Sequence, residues 1–483
     1  MDTLYWFDFE TSGLSPACDR PTQFAGLRTD LALNPVGEPL MIYCRPAPDL
    51  LPSPLAAQVT GVTPQQADQL GVPEPEFIAA IEAEMAQPGT CSVGYNSLRF
   101  DDEVTRYSLY RNFYDPYARE WQGGNSRWDL LEVARFAWAL RPEGIVWPQR
   151  DNGMPSLRLE ELTAANGLAH EAAHDALSDV TATIALAKLI KHSQPKLYDY
   201  AWQQRSKHAV AEFVDPRQRK PFLHVSGRLP AEHGYTALMM PLAAHPTNKN
   251  AVICVDLSRS VEPLLTLSAE QLRECLYTRS DQLPEGVERL GLKLIQINKC
   301  PMVATAALLD EALAARHNID RQQCLDNAER LKTADLTDKL QEIYSDRPAA
   351  RPDADQQLYG GFPSSADKAL FSQVRSATAE QLRPGAVQFE DPRYQQLLFN
   401  YRARFYPQTL SDSERTQWQQ EAVARLTDPT LGYRTLAQAC AELEELDPSR
   451  QSSAELAAQL FSWYKQVACS LDLEEHLPSP PSL

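Results

Sequence analysis

No run of 18 apolar residues occurs in the 483-residue sequence, so no membrane-spanning helix is predicted. The N-terminus has no basic stretch leading into an apolar one, and no secretory signal is expected. Cysteine is thin and scattered: nine residues, no CxxC pair, no Cys/His cluster. That speaks against a disulfide framework and predicts reduced thiols in the cytoplasm. Positive charge is also short, 46 Lys and Arg against 64 Asp and Glu, for a net charge of −18. Taken over the whole chain, that deficit argues against a nucleic-acid partner, which needs a basic footprint. The deficit is uneven, however. Residues 411–483 hold 12 acidic and 5 basic side chains, whereas residues 104–150 carry Arg106, Arg111, Arg119, Arg127, Arg135, Arg141 and Arg150 among many aromatics. A global average can hide a local groove.

What is present is a globular composition, 43% hydrophobic and 8% aromatic, in a chain too long for one core. Two to four domains are expected. Residues 1–193 alternate short apolar runs with helical patterns, the α/β signature. Strands are predicted at 3–10, 22–30, 40–45 and 91–95, and helices at 75–86, 101–113, 128–140, 157–166 and 176–191. The first three strands read as an antiparallel meander, and the fourth makes the sheet mixed. Residues 194–345 carry short strands in "KPFLHVSG", "TALMMPLAA", "NAVICVDLS" and "LKLIQIN", predicting a small β-barrel-like domain with helical additions that ends in a helix near 320–332. Residues 346–356 read as a Pro/Ala/Asp linker too poor in apolar residues to pack. Residues 357–483 are predicted to be all-α.

One strand poses a problem. "TLYWFDFETSGL" is apolar enough to be buried, yet Asp8 and Glu10 sit inside it. Side chains two apart on a strand share a face, about 7 Å apart. Two like charges there repel and resist desolvation. Arginines, raised pKa values or a divalent metal could compensate, or the strand could lie at a solvated edge. Two distant segments bear on the choice. "NSLRFDDEV" places Asp101, with Asp102 as a rival, at a helix start. "HDALSD" places His174 before a long helix and Asp179 one turn into it. Three acidic segments with a His-x4-Asp meet the needs of two hard divalent cations held by carboxylates, with a histidine as general base. Oxygen ligands favour Mg²⁺, with Mn²⁺ as a substitute, over Zn²⁺.

The segments "DFET", "NSLRFDDEV" and "HDALSD" resemble the DEDDh 3′–5′ exonucleases. The resemblance is closer than superfamily level: "DRPTQFAGLRTD", "RNFYDPY", "NSRWDLLEVARFAWALRPEGI", "AAHPTNKNAVICVDL", "INKCP", "RQQCLDN" and "LLFNYRARFYP" look like bacterial exonuclease I across nearly the whole chain. It implies a ribonuclease-H-like exonuclease domain (1–193), an SH3-like barrel (194–345) and a helical C-terminal domain (357–483). It implies processive 3′→5′ release of mononucleotides from single-stranded DNA in repair and recombination, by a cytoplasmic monomer. Asp8, Glu10 and Asp179 would hold one metal, and Asp8 with Asp101 the second. The family pattern puts the acid directly after Phe100, which favours Asp101 over Asp102. His174 would deprotonate the attacking water. Glu10 and the backbone of Thr11 and Ser12 would meet the terminal nucleotide.

Strand binding without sequence preference needs positive charge and aromatic faces. Arg106, Tyr117, Trp121 and Arg135 are the expected contacts, with Arg158 near the scissile phosphate and Lys299 on the barrel. The family also binds the acidic C-terminal peptide of single-stranded DNA-binding protein. Arg141, Tyr200, Arg321 and Lys332 match that pocket, whereas Asp310 stands where the family pattern has an arginine. Two competing functions differ in class: a single-stranded DNA-binding scaffold with a dead site, and an exonuclease acting on RNA or short oligonucleotides. Filled catalytic positions argue against the first. No residue settles the second, because rejecting a 2′-hydroxyl depends on packing near the terminal sugar.

Overall fold

Strand β1 (Thr3–Thr11) runs between two partners. It pairs antiparallel with β2 (Pro21–Thr29) and parallel with β4 (Thr90–Gly94), and β3 (Leu40–Tyr43) adds to β2, giving the order β3-β2-β1-β4. The predicted meander and mixed sheet are both present. The computed structural model describes residues 2–169, 175–279, 282–283, 289–345, 351–449 and 453–477. Strand alternation divides β1 into two faces. Tyr5, Phe7 and Phe9 join Phe24 in a buried cluster, covered by Phe77, Ile78, Ile81 and Met85 at helical spacing on helix α3 (Glu74–Met85). The two preceding helices are α1 (Pro54–Thr60) and α2 (Pro64–Leu70), each begun by proline after a Ser or Thr cap. Asp8 and Glu10 therefore sit on the face opposite the aromatic cluster. The ladder slips between Glu10 and Thr11, a bulge that re-aims the chain just past the second carboxylate.

At the end of β4 the chain turns tightly into helix α4 (Asp101–Arg111). Gly94 is required there: a Cβ would lie 2.6 Å from that of Ser97 and 3.0 Å from the Phe7 carbonyl oxygen. The chain divides into two compact units. The first comprises Met1–Asn125, His170–Thr181 and Ala349–Leu483; the second, Ser126–Ala169 and Ala182–Pro348. This spatial division cuts through the expected 1–193 domain.

In the second unit, β5 (Ser126–Asp129) leads into α5 (Leu130–Leu140), where a single helix from 128 was expected. Asp129 ends the strand and caps the helix by accepting from the Leu131 N–H at 3.0 Å. Helix α6 (Leu159–Ala165) and most of α7 (Ala176–Ser193) follow; α7 belongs to the first unit only through Thr181. A five-stranded antiparallel sheet has the order β10-β6-β7-β8-β9. Its strands are β6 (Phe222–Val225), β7 (Thr236–Ala244), β8 (Ala251–Asp256), β9 (Leu292–Gln296) and β10 (Met302–Thr305). Four matched the sequence reading; β10 was not anticipated. The helical additions include Pro195–Gln203, Lys207–Phe213 and Thr337–Ile343, and the last extends this part beyond the expected final helix.

The C-terminal segment is helical as expected, with Ser365–Ser376, Pro392–Phe405, Asp412–Thr427, Leu436–Leu443 and Ser453–Ser470. The linker reading needs correction. Residues 346–350 lie outside the described residues, but Ala354, Asp355 and Gln356 form a buried turn. Charge pairing, not apolar content, holds them: Asp355 has no exposed surface and takes hydrogen bonds from Arg20, Arg404 and Asn400. Among the described residues no helix is long and apolar enough to cross a membrane.

Candidate active site

The two segments that carry Asp8, Glu10 and Asp179 meet. One oxygen from each carboxylate lies within 4.8 Å of the others. Glu10 is buried; Asp8 and Asp179 are partly open to solvent. Asp101, the first residue of α4, accepts the Phe9 backbone N–H at 3.1 Å through Oδ1, which ties it to β1 at the residue between Asp8 and Glu10. Asp179 rides on the first turn of α7, and Asp175 fixes that turn. The Asp175 carboxylate accepts from Ser178 N–H at 3.2 Å, and its carbonyl from Asp179 N–H at 3.0 Å.

The electrostatics fit a divalent cation. Burial holds the Asp8 carboxyl well above its usual range, and Asp101, Glu10 and Asp179 push it further. Burial raises Glu10 to about 9, reinforced by Asp179, Asp101 and Asp175. Like charges crowded in low dielectric cannot all ionise unless positive charge joins them. The donors are hard oxygens, suited to cations of the Mg²⁺ and Mn²⁺ kind. The two aspartates at the α4 start differ in surroundings. Asp102 sits in a fully buried ion pair with Arg119 at 2.6 Å. His174 lies outside the described residues.

A family model described as "Exonuclease" matches residues 5–187. Models for an exonuclease I SH3-like domain and an exonuclease I C-terminal domain match residues 205–346 and 352–467. The exodeoxyribonuclease I of Haemophilus influenzae is 47% identical over 465 residues, 95% of this chain and 98% of that protein. That of Escherichia coli is 49% identical over 421 residues, covering 86% and 88%.

The chain belongs to the exonuclease I family.

Solved structures agree. E. coli exonuclease I in complex with a dA16 oligonucleotide superposes with a TM-score of 0.92 at 44% identity, covering 97% of this chain and all of that one. The zinc ion bound form of an E. coli ExoI–ssDNA complex gives 0.91, at the same identity and coverage. A structure of SSB/exonuclease I in complex with the inhibitor CFAM gives 0.88, again at 44% identity and the same coverage.

Within the first unit, the expected strand contacts divide. Thr11 is buried, its hydroxyl donating to the Gly13 carbonyl at 2.8 Å. Ser12 is held from three sides: its N–H donates to Arg20 O at 2.8 Å, its Oγ accepts from Arg20 N–H at 2.9 Å, and its carbonyl accepts from Ser53 N–H at 2.7 Å. Trp121 is 66% exposed, as a stacking platform requires. Tyr117 is half-buried under the guanidinium of Arg106 and edge-on to Phe362. Arg106 is buried, paired with Glu120 and Glu103 at 2.7 Å each and donating to Tyr359, so it braces the aromatics. Two further exposed aromatics lie near them, Tyr359 at 57% and Phe362 at 84%. Their signal in the sequence is "LYGGF", two aromatics around paired glycines, inside the stretch read as all-α.

Within the second unit, Arg135 is buried, paired with Glu132 at 2.7 Å and packed beside the Tyr235 ring and the Gly227 backbone. Arg158 is exposed at the N-cap of α6, 3.8 Å from Glu160 and Glu161. Lys299 lies in the turn after β9. Of the partner-pocket residues, Arg141 and Arg321 are exposed, and Lys332 pairs with Glu329. Tyr200 donates to the Val303 carbonyl at 2.9 Å and stacks on Phe136. Asp310 has a structural task. It caps a short helix, Glu311–Arg316, accepting from Leu313 N–H at 2.8 Å.

Proposed function

We propose that this protein processively removes 5′-mononucleotides from the 3′ end of single-stranded DNA, in DNA repair and recombination. The observation that carries the reading is the convergence of Asp8, Glu10 and Asp179 within 4.8 Å, with Asp101 anchored to the same strand. Asp8, Glu10 and Asp179 hold one divalent ion, and Asp8 with Asp101 a second; Mg²⁺ is the proposed metal and Mn²⁺ its substitute. When bound, the ions make a water nucleophilic at neutral pH and offset the charge that develops on the attacking and leaving oxygens. Glu10 contacts the terminal 3′-hydroxyl, and the braced Thr11–Ser12 backbone seats the terminal nucleotide. His174 takes the proton from water as it attacks the last internucleotide phosphorus. The bond to the preceding 3′-oxygen breaks, and a 5′-mononucleotide leaves.

Trp121 and Tyr117 are proposed as stacking contacts, with Tyr359 and Phe362 added from their exposure. Arg106, Arg135, Arg158 and Lys299 are proposed as backbone contacts from the family resemblance. Arg141, Tyr200, Arg321 and Lys332 are proposed to receive the acidic C-terminal peptide of single-stranded DNA-binding protein, with Asp310 leaving that pocket less basic than its relatives'. The protein is proposed to act as a cytoplasmic monomer with domains at 1–193, 194–345 and 357–483.

The test is a digestion panel with Mg²⁺: single- and double-stranded DNA and RNA, each labelled at either end. The expected result is a ladder that shortens single-stranded DNA from its 3′ end. Binding without degradation of any substrate overturns the reading in favour of a scaffold. Faster loss of RNA than of DNA replaces it with a ribonuclease.

A further inference from the structure

Behind the Thr11–Ser12 backbone lies a buried ionic network that nothing in the chemistry above uses. Its centre is Arg20, 3% exposed, at the end of the turn that joins β1 to β2. The Arg20 backbone exchanges two hydrogen bonds with Ser12. Its guanidinium donates to the carbonyls of Cys18 and Asp19 at 3.1 and 3.3 Å, and to Asp355 Oδ2 at 2.6 Å. Asp355 Oδ2 also accepts from Arg404 at 2.6 Å, and Oδ1 accepts from Asn400 at 2.9 Å. Arg404 then grips Asp49 with two bonds, at 2.9 and 2.7 Å, and Arg425 joins Asp49 to Asp353. Asp49 lies four residues before Ser53, the residue that donates to the Ser12 carbonyl. Both chain segments that pin Ser12 are thus fastened by charges from residues 353–425.

We infer that Arg20 is a positioning residue for excision, and that the C-terminal segment, through Asp355, sets where the terminal nucleotide sits. The inference rests on the proposed role of the Thr11–Ser12 backbone. Buried ion pairs add little net stability over well-packed apolar groups, because desolvation offsets their attraction. What they supply is geometry: a planar guanidinium shared among fixed carbonyls and a carboxylate accepts little displacement. Here the geometry is delivered to a backbone two residues from Glu10. Lysine keeps the charge of Arg20 but cannot reach Cys18, Asp19 and Asp355 together. Since small misplacement of a bound reactant is costly, a loss of about 10- to 100-fold in the excision step is expected.

The experiment uses the full chain and three variants, Arg20→Lys, Ser12→Ala and Arg402→Lys. Single-turnover excision of a 5′-labelled oligonucleotide is measured beside oligonucleotide binding in chelator and thermal unfolding. Arg20→Lys and Ser12→Ala should lose about 10- to 100-fold in rate, with binding changed by less than about threefold. Arg402→Lys disturbs a different ion pair of the C-terminal segment, with Glu414 at 2.7 Å, outside the Arg20–Asp355 and Asp49 contacts. It should lower the unfolding midpoint while keeping the wild-type rate. A rate for Arg20→Lys within twofold of wild type overturns the inference, and so do equal rate losses in Arg20→Lys and Arg402→Lys. Should Arg20→Lys fail to fold, Ser12→Ala decides, and a rate within twofold of wild type again overturns it. Wild-type inactivity on every substrate overturns the reading of function instead.

Discussion

Asp8 lies on an apolar strand among Glu10, Asp101 and Asp179, and its two protonation states predict opposite effects of a single substitution. With metal bound, Asp8→Asn removes a charged ligand shared by both proposed ions. A loss of several kcal/mol of transition-state stabilisation, about 10³-fold in rate, is expected. In metal-free protein the sign reverses. Burial and three neighbouring carboxylates raise the folded pKa of Asp8, and Glu10 reaches about 9. A carboxyl raised on folding stabilises the protein fully below its unfolded value and loses that contribution as pH climbs through the folded one. Wild-type protein in chelator should therefore lose stability progressively between pH 5 and pH 9. Asp8→Asn should lose less and have the higher unfolding midpoint at pH 9. Thermal scans in chelator at both pH values check this. A midpoint at pH 9 that falls on substitution would show that the carboxylates are not straining the apo protein.

At the scale of elements, α4 begins with two adjacent aspartates of different purpose. Asp101 turns to the Phe9 amide of β1, whereas Asp102 is sealed against Arg119. Asp101→Ala should abolish excision with a modest change in unfolding. Asp102→Ala leaves the site's carboxylates in place but strands a buried guanidinium, a loss of about 3–5 kcal/mol. Urea titration and the excision rate separate the two, and a strongly destabilised Asp101→Ala beside a stable, inactive Asp102→Ala would exchange their roles. The sequence could offer both aspartates but not choose between them by physics alone, because side-chain direction at a helix start depends on the turn before it. Here Gly94 and Asn96, the latter at a φ of 65°, set that turn. Strand alternation in β1, by contrast, was legible: period two placed Asp8 with Glu10, and the structure puts both opposite the Phe7 and Phe9 cluster. The pairing of Arg106 was not legible. Its aromatic surroundings read as a nucleic-acid surface, and only the fold brings Glu103 and Glu120 to it together.

At the scale of the molecule, the residues least legible in the sequence were those whose partners lie hundreds of positions away. Nothing local marks Asp355 as buried, since its partners Arg20 and Arg404 are supplied only by the fold. The same distance hides a shared core. Cys18, Leu50, Tyr107, Tyr110 and Phe113 pack with Phe371, Leu397 and Tyr401, and Leu51 and Ala57 with Leu460 and Tyr464. The C-terminal segment is therefore part of the fold that carries the catalytic strand, not an appendage on a linker. Deleting residues 349–483 would uncover Leu50, Leu51, Tyr107, Tyr110 and Phe113. At roughly 1.5–3 kcal/mol for each, the loss is on the order of 10 kcal/mol, comparable to the whole stability of a domain. Asp49 would also lose both arginines, Arg404 and Arg425. The expected outcome is that residues 1–348 aggregate or lack a cooperative thermal transition, although all the proposed metal ligands are present. Co-expression with residues 349–483 should restore a soluble, active pair, because the missing surface is supplied in trans. A 1–348 fragment that unfolds cooperatively and degrades single-stranded DNA at the wild-type rate would show that the shared core and the Arg20–Asp355 link are dispensable.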